Sequence, residues 1–291
     1  DGTTDVIDLG AYEFQGEPDG EEPEFAPFIT TWKVEAGDLS INLSTSSSVY
    51  SYDYDIDWGD GEMDIGVTGD KSHTYDAPGT YIVKITGVFP AMNYTTDYLA
   101  DKLMTVDQWG DVAWKSMYLA FNGAENLEVN ATDTPDLSNV ESLRRMFDGA
   151  SSMTGTDANW NWDTSNVTHM GGMFSGARSF NQDISSWITN SVEIMHNTFN
   201  GASSFNQDIS QWDTGEVIEM FNMFKDATSF NQDLGDWDIE NITDMRWMLD
   251  NSGLSTENYD ATLTGWAAQT VKSDVELGAD GMPTGIPENL K

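Results

Sequence analysis

The chain has 291 residues, 38% of them hydrophobic, with no cysteine and fifty acidic against twelve basic residues, a formal net charge of −38. It is long enough to bury real cores over about two domains, and the missing cysteines exclude disulfides and cysteine-ligated zinc. No apolar run nears the roughly 18 residues of a membrane span, and the acid excess repels phosphate backbones and anionic headgroups, so neither nucleic-acid binding nor membrane insertion is expected. The charge suits solvation in salty surroundings, binding of divalent cations or attraction to a basic partner. Most charge runs simply face water.

Residues 1–15 alternate weakly and read as a strand remnant, and residues 16–27 (GEPDGEEPEFAP) read as a solvated acidic linker. The run DLGAYEF is similar to the closing segment of right-handed β-helix domains in large bacterial surface proteins, which implies that the sequence was cut from a longer chain. From Phe28 to about residue 99 the pattern is β. Trp32 and Val34, then Leu39, Ile41 and Leu43, then Tyr54, Ile56 and Trp58, then Tyr81, Val83 and Ile85 alternate with polar residues. Such runs, broken by Gly, Asp and Pro, predict an antiparallel β-sandwich of Ig-like type. DWGDG (57–61) followed by HTYDAPGTYIVKITG (73–87) resembles the signature of a polycystic-kidney-disease-type (PKD) domain. That resemblance implies an extracellular spacer or adhesion module.

Residues 100–254 repeat with a period of 25–27. FNQDISSWITNSVEIMHNTFNGASS (180–204), FNQDISQWDTGEVIEMFNMFKDATS (205–229) and FNQDLGDWDIENITDMRWMLDNSGL (230–254) align without gaps. The phrase F-N-Q-D-[IL]-x-x-W, then V or I, then M-x-x-M-F resembles the BspA-like leucine-rich-repeat family of bacterial surface proteins. Val167, Met170, Met173, Phe174 and Ala177 follow a helical stripe, with Ser138-x-x-Glu141 and Asn190-x-x-Glu193 as capping boxes. Asp183-Ile184-Ser185 reads as a short strand. Each unit is then strand, turn, helix, and the wider spacing of helices makes the strand side concave. Residues 255–291 complete the chain as a C-terminal helical cap, with Ser255 as N-cap and Tyr259, Leu263 and Trp266 on one face, and a Gly/Pro tail. The expected fold is therefore an antiparallel sandwich followed by an α/β leucine-rich-repeat-type solenoid with a helical cap.

Stacking places Asn181, Asn206 and Asn231 in one column, read as a structural ladder, and Asp183, Asp208 and Asp233 in another, either solvated or in contact with ligand or Ca²⁺. Trp162, Trp187, Trp212 and Trp237 form a column read as core, with sugar stacking as the rival; the methionines at 170, 195, 220 and 245 are core. Asp53, Asp55, Asp57 and Asp60 superficially match a Ca²⁺ loop, although Trp58 stands where an EF-hand needs glycine. Of the histidines, His73 is read as a packing residue, while His169 and His196 sit near equivalent repeat positions, one shifted by a residue, and are read as a candidate metal pair. No catalytic constellation is present, so no enzyme is expected. The expectation is a secreted segment of a bacterial cell-surface protein, a monomeric piece of a larger chain. It would bind an extracellular protein, peptide or glycan through Asn181, Gln182, Asp183, Ser185, Asn206, Gln207, Asp208, Ser210, Asn231, Gln232 and Asp233. A structural stalk, or a carbohydrate-binding module using the Trp column, is the alternative.

Overall fold

A computed structural model describes residues 25–95 and 100–281. The strand expected over residues 1–15 and most of the linker after it lie outside the described residues, as does the end of the tail. In the first region β1 (Phe28–Val34), β3 (Asp53–Asp57), β4 (Met63–Val67) and β6 (Gly79–Val88) share one sheet, and β2 (Ser40–Leu43) pairs with β5 (Lys71–Thr74) in a second. Alternation does the work the sequence suggests. Phe28, Thr30, Trp32 and Val34 of β1 point inward, as do Tyr54 and Ile56 of β3 and Val83 and Ile85 of β6. Burying each of the large apolar side chains contributes about 1.5–3 kcal/mol relative to exposure. The DWGDG turn requires its first glycine: Gly59 has φ +79°, and a Cβ there would overlap the Ile82 carbonyl.

The sheet does not stop at this region. β7 (Leu103–Gln108) pairs antiparallel with β1 and parallel with β8 (Glu128–Val129), giving the order β4-β3-β6-β1-β7-β8. The sheet is therefore mixed, with strands from both sides of residue 100. Trp109 and Trp114 are buried at the junction, 6.0 and 5.1 Å from Phe28 between ring centroids, and Trp109 also meets Phe121 and Trp162. One continuous apolar core runs through both regions.

The repeat region overturns the expected α/β leucine-rich-repeat-type solenoid. No helix forms within the repeat units; the only helix among the described residues is α1 (Thr256–Trp266). Every stretch read as a helix is a run of turns with a left-handed residue twice, four positions apart: 119 and 123, 145 and 149, 172 and 176, 197 and 201, 222 and 226, 247 and 251. Glycine, Asn or Asp occupies nine of these twelve sites, and a right-handed helix cannot contain such a residue every turn. The backbone N–H groups turn outward to the next unit instead. Met170, Gly172, Phe174 and Gly176 donate to the carbonyls of Ile194, His196, Thr198 and Asn200 at 2.7–2.9 Å, and the pattern recurs from unit to unit.

The strand was expected in the wrong place for the same reason. Asp183-Ile184-Ser185 is not a strand. The parallel bridges join Ser142, His169, Ile194, Glu219 and Asp244, at the start of the supposed helix. A four-residue turn repeated twice returns side chains inward at nearly the spacing of a helix, so the apolar stripe alone could not separate the two. Without helices to fan outward, the argument for a concave strand face falls. Inside each unit the aromatic rings stack on their counterparts, Phe147, Phe174, Phe199 and Phe224 at 5.7–5.8 Å and Phe180, Phe205 and Phe230 at 6.1 Å.

Helix α1 lies across the last unit and takes up its free polar groups. Ser255 caps it by accepting from the Asn258 N–H. The Ser255 N–H donates to Asn231 Oδ1, Asn258 Nδ2 to Asn231 O, Trp266 Nε1 to Leu234 O and Gln269 Nε2 to Trp237 O, all at 2.7–2.8 Å. Gly265 allows this approach, since a Cβ there would strike the Gly235 backbone.

Candidate functional site

The residues expected to bind ligand are mostly occupied in holding the units together. Asn181 Oδ1 accepts from the Asn206 N–H and Asn206 Oδ1 from the Asn231 N–H, both at 2.8 Å. Gln182, Gln207 and Gln232 donate to the carbonyls of Thr154, Asn181 and Asn206. The carboxylates of Asp183, Asp208 and Asp233 are exposed on this edge, and each accepts locally from the N–H two residues on, of Ser185, Ser210 and Gly235. The Ser185 hydroxyl and N–H hold Asp183 below the usual carboxylate range, and the Ser210 N–H and hydroxyl do the same for Asp208. The repeated phrase is thus a ladder of side-chain-to-backbone bonds with an acidic rim.

Other expected features are dispersed or buried. Trp162, Trp187, Trp212 and Trp237 are 0–4% exposed, and the last three donate through Nε1 to the carbonyls of Trp160, Ile184 and Ile209 in the preceding unit. No ring face is left for a sugar. Asp53, Asp55 and Asp57 lie on the outer side of β3. Asp55 accepts from the Gly66 N–H, Asp57 from the Gly59 N–H, and Asp60 from Glu62 N–H and, at 2.7 Å, engages His73 Nε2. The structure does not gather them, and among the described residues no three His, Cys, Asp or Glu side chains converge as metal ligands. His73 is packed flat on Trp58 at 4.7 Å.

A different row has the character of a contact surface. Superposing the bridged units puts Tyr118, Arg144, Gly171, His196, Phe221 and Arg246 at one position, flanked on one side by the inward methionines 117, 170, 195, 220 and 245 and by Leu143. The neighbours stay apolar while this position changes at every unit. Its side chains touch along the row. The Arg144 guanidinium sits 5.5 Å over the Tyr118 ring, His196 stacks on Phe221 at 4.6 Å, and Arg246 lies 5.2 Å over Trp247. Trp247 is 46% exposed. Arg145 and Arg246 pair with Asp148 and Asp244. His169 comes from the bridge position two residues earlier, so it is offset from His196 by two residues rather than one, and the rings meet at 5.8 Å. Burial and the nearby Arg144 push His169 down to about 4, and burial lowers His196 too, against a smaller opposing pull from Glu219. Reading the repeats for what varies, rather than for what recurs, would have found this row.

The family described as "Mycoplasma protein of unknown function, DUF285" matches over residues 115–208 and 186–277, together more than half of the chain. The chain belongs to this family. Both matches fall on the stacked units, and the second extends over α1. Comparison with curated proteins and with solved structures gave no match. No helix among the described residues is long and apolar enough to cross a membrane.

Proposed function

We propose that the repeat stack is a non-enzymatic recognition module of a bacterial surface protein, and that it holds an extracellular protein or peptide along the row from Tyr118 to Trp247. The observation that supports this is the composition of the row. The row holds Arg144, Arg246 and His196, with Arg145 and His169 beside it, so three of the chain's four arginines and two of its three histidines lie in or next to it among exposed or half-buried aromatic rings, on a chain otherwise dominated by acid. Aromatic residues and arginine are the types enriched in the energetic centres of protein interfaces, where lysine and acids are depleted. The asparagine and glutamine positions first expected to bind are committed to the ladder, which leaves the acidic rim as the competing contact edge. A rigid stalk is the second reading, favoured by the sheet that β1, β7 and β8 share.

The test is binding of the whole chain to immobilised extracellular proteins and peptides. It is run alongside a Phe221→Ala/Trp247→Ala variant and an Asp183→Asn/Asp208→Asn/Asp233→Asn variant. Binding weakened at least tenfold by the first and unchanged by the second is expected. The reverse pattern moves the contact to the acidic rim, and no binding in any arm supports the stalk.

A further inference from the structure

Gly171 occupies the one unit of the row that has no side chain. A Cβ there would stand 2.8 Å from His169 Cε1 and 2.9 Å from His196 Cε1, so both rings lean over the glycine from adjacent units. Their orientation fixes their protons. The Gly171 N–H donates to His169 Nδ1 at 3.1 Å. Asn197 Nδ2, whose own Oδ1 accepts from Asn200 and Asn222, lies 3.0 Å from His196 Nδ1 and can only donate to it. Both imidazoles therefore carry their proton on Nε2 and present it as a donor. Both stay neutral near pH 7, because burial disfavours the charged ring and Arg144 adds a repulsive charge to each; Arg145 acts on His196 in the same sense and Glu219 against it.

Beside this pair stands Arg144. Among the described residues it forms no ion pair, on a chain with fifty acidic side chains. Its Nε is buried without a hydrogen-bond partner, and the face of its guanidinium is held by Tyr118. A buried donor left unmatched is costly, and it marks this guanidinium as one whose hydrogen-bonding capacity the chain itself does not satisfy.

We propose that Arg144, His169 and His196 form an oxyanion pocket that takes a carboxylate group of the recognised protein partner. A carboxylate matches the fork of a guanidinium, and the two Nε2–H groups add neutral donors beside it. A metal ion fits badly: its ligand nitrogens would have to be unprotonated, and the Arg144 charge would repel it. This inference rests on the recognition reading above for the partner's identity, but the pocket can be examined alone.

With three histidines in the chain, the His Cε1–H and Nε2 signals can be followed by NMR while sodium acetate or N-acetylglutamate is added at constant ionic strength and neutral pH. Saturable shifts at His169 and His196, with His73 unmoved, are expected, and Arg144→Gln should weaken both at least tenfold, with Arg144→Lys in between. His196→Gln serves as the second variant if Arg144→Gln fails to fold by circular dichroism. Shifts at His169 and His196 no larger than at His73, or a Gln variant that titrates like the parent, overturn the pocket. Zinc binding at these rings without any acetate response overturns it in favour of a metal. Glucuronate bound tighter than N-acetylglutamate overturns the assignment to a protein carboxylate. A partner that ignores Phe221→Ala/Trp247→Ala while acetate still shifts the rings defeats only the recognition row.

Discussion

Replacing Asn206 by Ala removes the acceptor for two donors in the following unit, the Asn231 N–H at 2.8 Å and Gln232 Nε2 at 2.9 Å. Its own N–H keeps its bond to Asn181. Each lost bond is worth about 0.5–1.5 kcal/mol net, and because Asn206 is exposed, water replaces part of it, so a loss of about 1–2 kcal/mol is expected. For a chain of this size that is about 2–8 °C in melting temperature. Asn206→Asp keeps an acceptor oxygen in place and is expected to melt within about 1 °C of the parent, since only the lost acceptor separates the variants. Asp208→Ala, which loses one bond inside its own turn, should cost no more than about 1 kcal/mol. Circular dichroism and tryptophan fluorescence melts of the three variants settle the ranking. An Ala variant as stable as the parent, or an Asp variant as damaged as the Ala one, would refute the view that this column is an inter-unit ladder.

Three further outcomes follow from the same geometry. Phe199→Ala should lose about 3–5 kcal/mol, because its ring is fully buried and stacks on Phe174, Phe205 and Phe224; urea denaturation checks it. Gly201→Ala places a Cβ on a residue at φ +69° and should cost about 1–2 kcal/mol, whereas Gly201→Asn should cost less; a helix at this site would reverse that order. His169 has its pKa lowered from 6.5 to about 4 on folding, so between these values the unfolded chain binds more protons. Stability must then fall as pH drops from about 6.5 to about 4, by about 1–2 kcal/mol once its partial exposure is discounted, and His169→Asn should flatten that slope in melts recorded from pH 4.5 to 7.5.

The repeat period and the inward columns were legible in the sequence, but the fold class was not, because the local conformation of each unit was misread. The period of 25–27, the inward Trp and Met columns and the Asn ladder all come from residues that recur because each unit presents them to the same neighbour. The β alternation from Trp32 to Ile85 is equally direct. Helix and turn were confused because Met170, Met173, Phe174 and Ala177 face inward in either case. The distinguishing signal was the Gly, Asn or Asp at 172, 176, 197, 201, 222 and 226, residues that favour left-handed backbone. The pairing of β7 with both β1 and β8 leaves no local mark, since nothing in LMTVDQ names its partners. The candidate row was missed because it is defined by difference: Tyr118, Arg144, His196, Phe221 and Arg246 share a position and nothing else.

That difference has a physical basis in how a unit is held. Its backbone donors at residues such as 170, 172, 174 and 176 bond to the next unit, its polar ladder is supplied by Asn, Gln and Trp Nε1, and its core by Phe, Met and Trp. The side chain at the row position takes no part in any of these, so Arg, His, Phe or nothing at all is compatible with the same stack. A surface whose residues are released from folding in this way can be set unit by unit to suit a partner. The proposed recognition role requires this freedom, and the neutral histidine pair over Gly171 is one place where it has produced a specific local geometry.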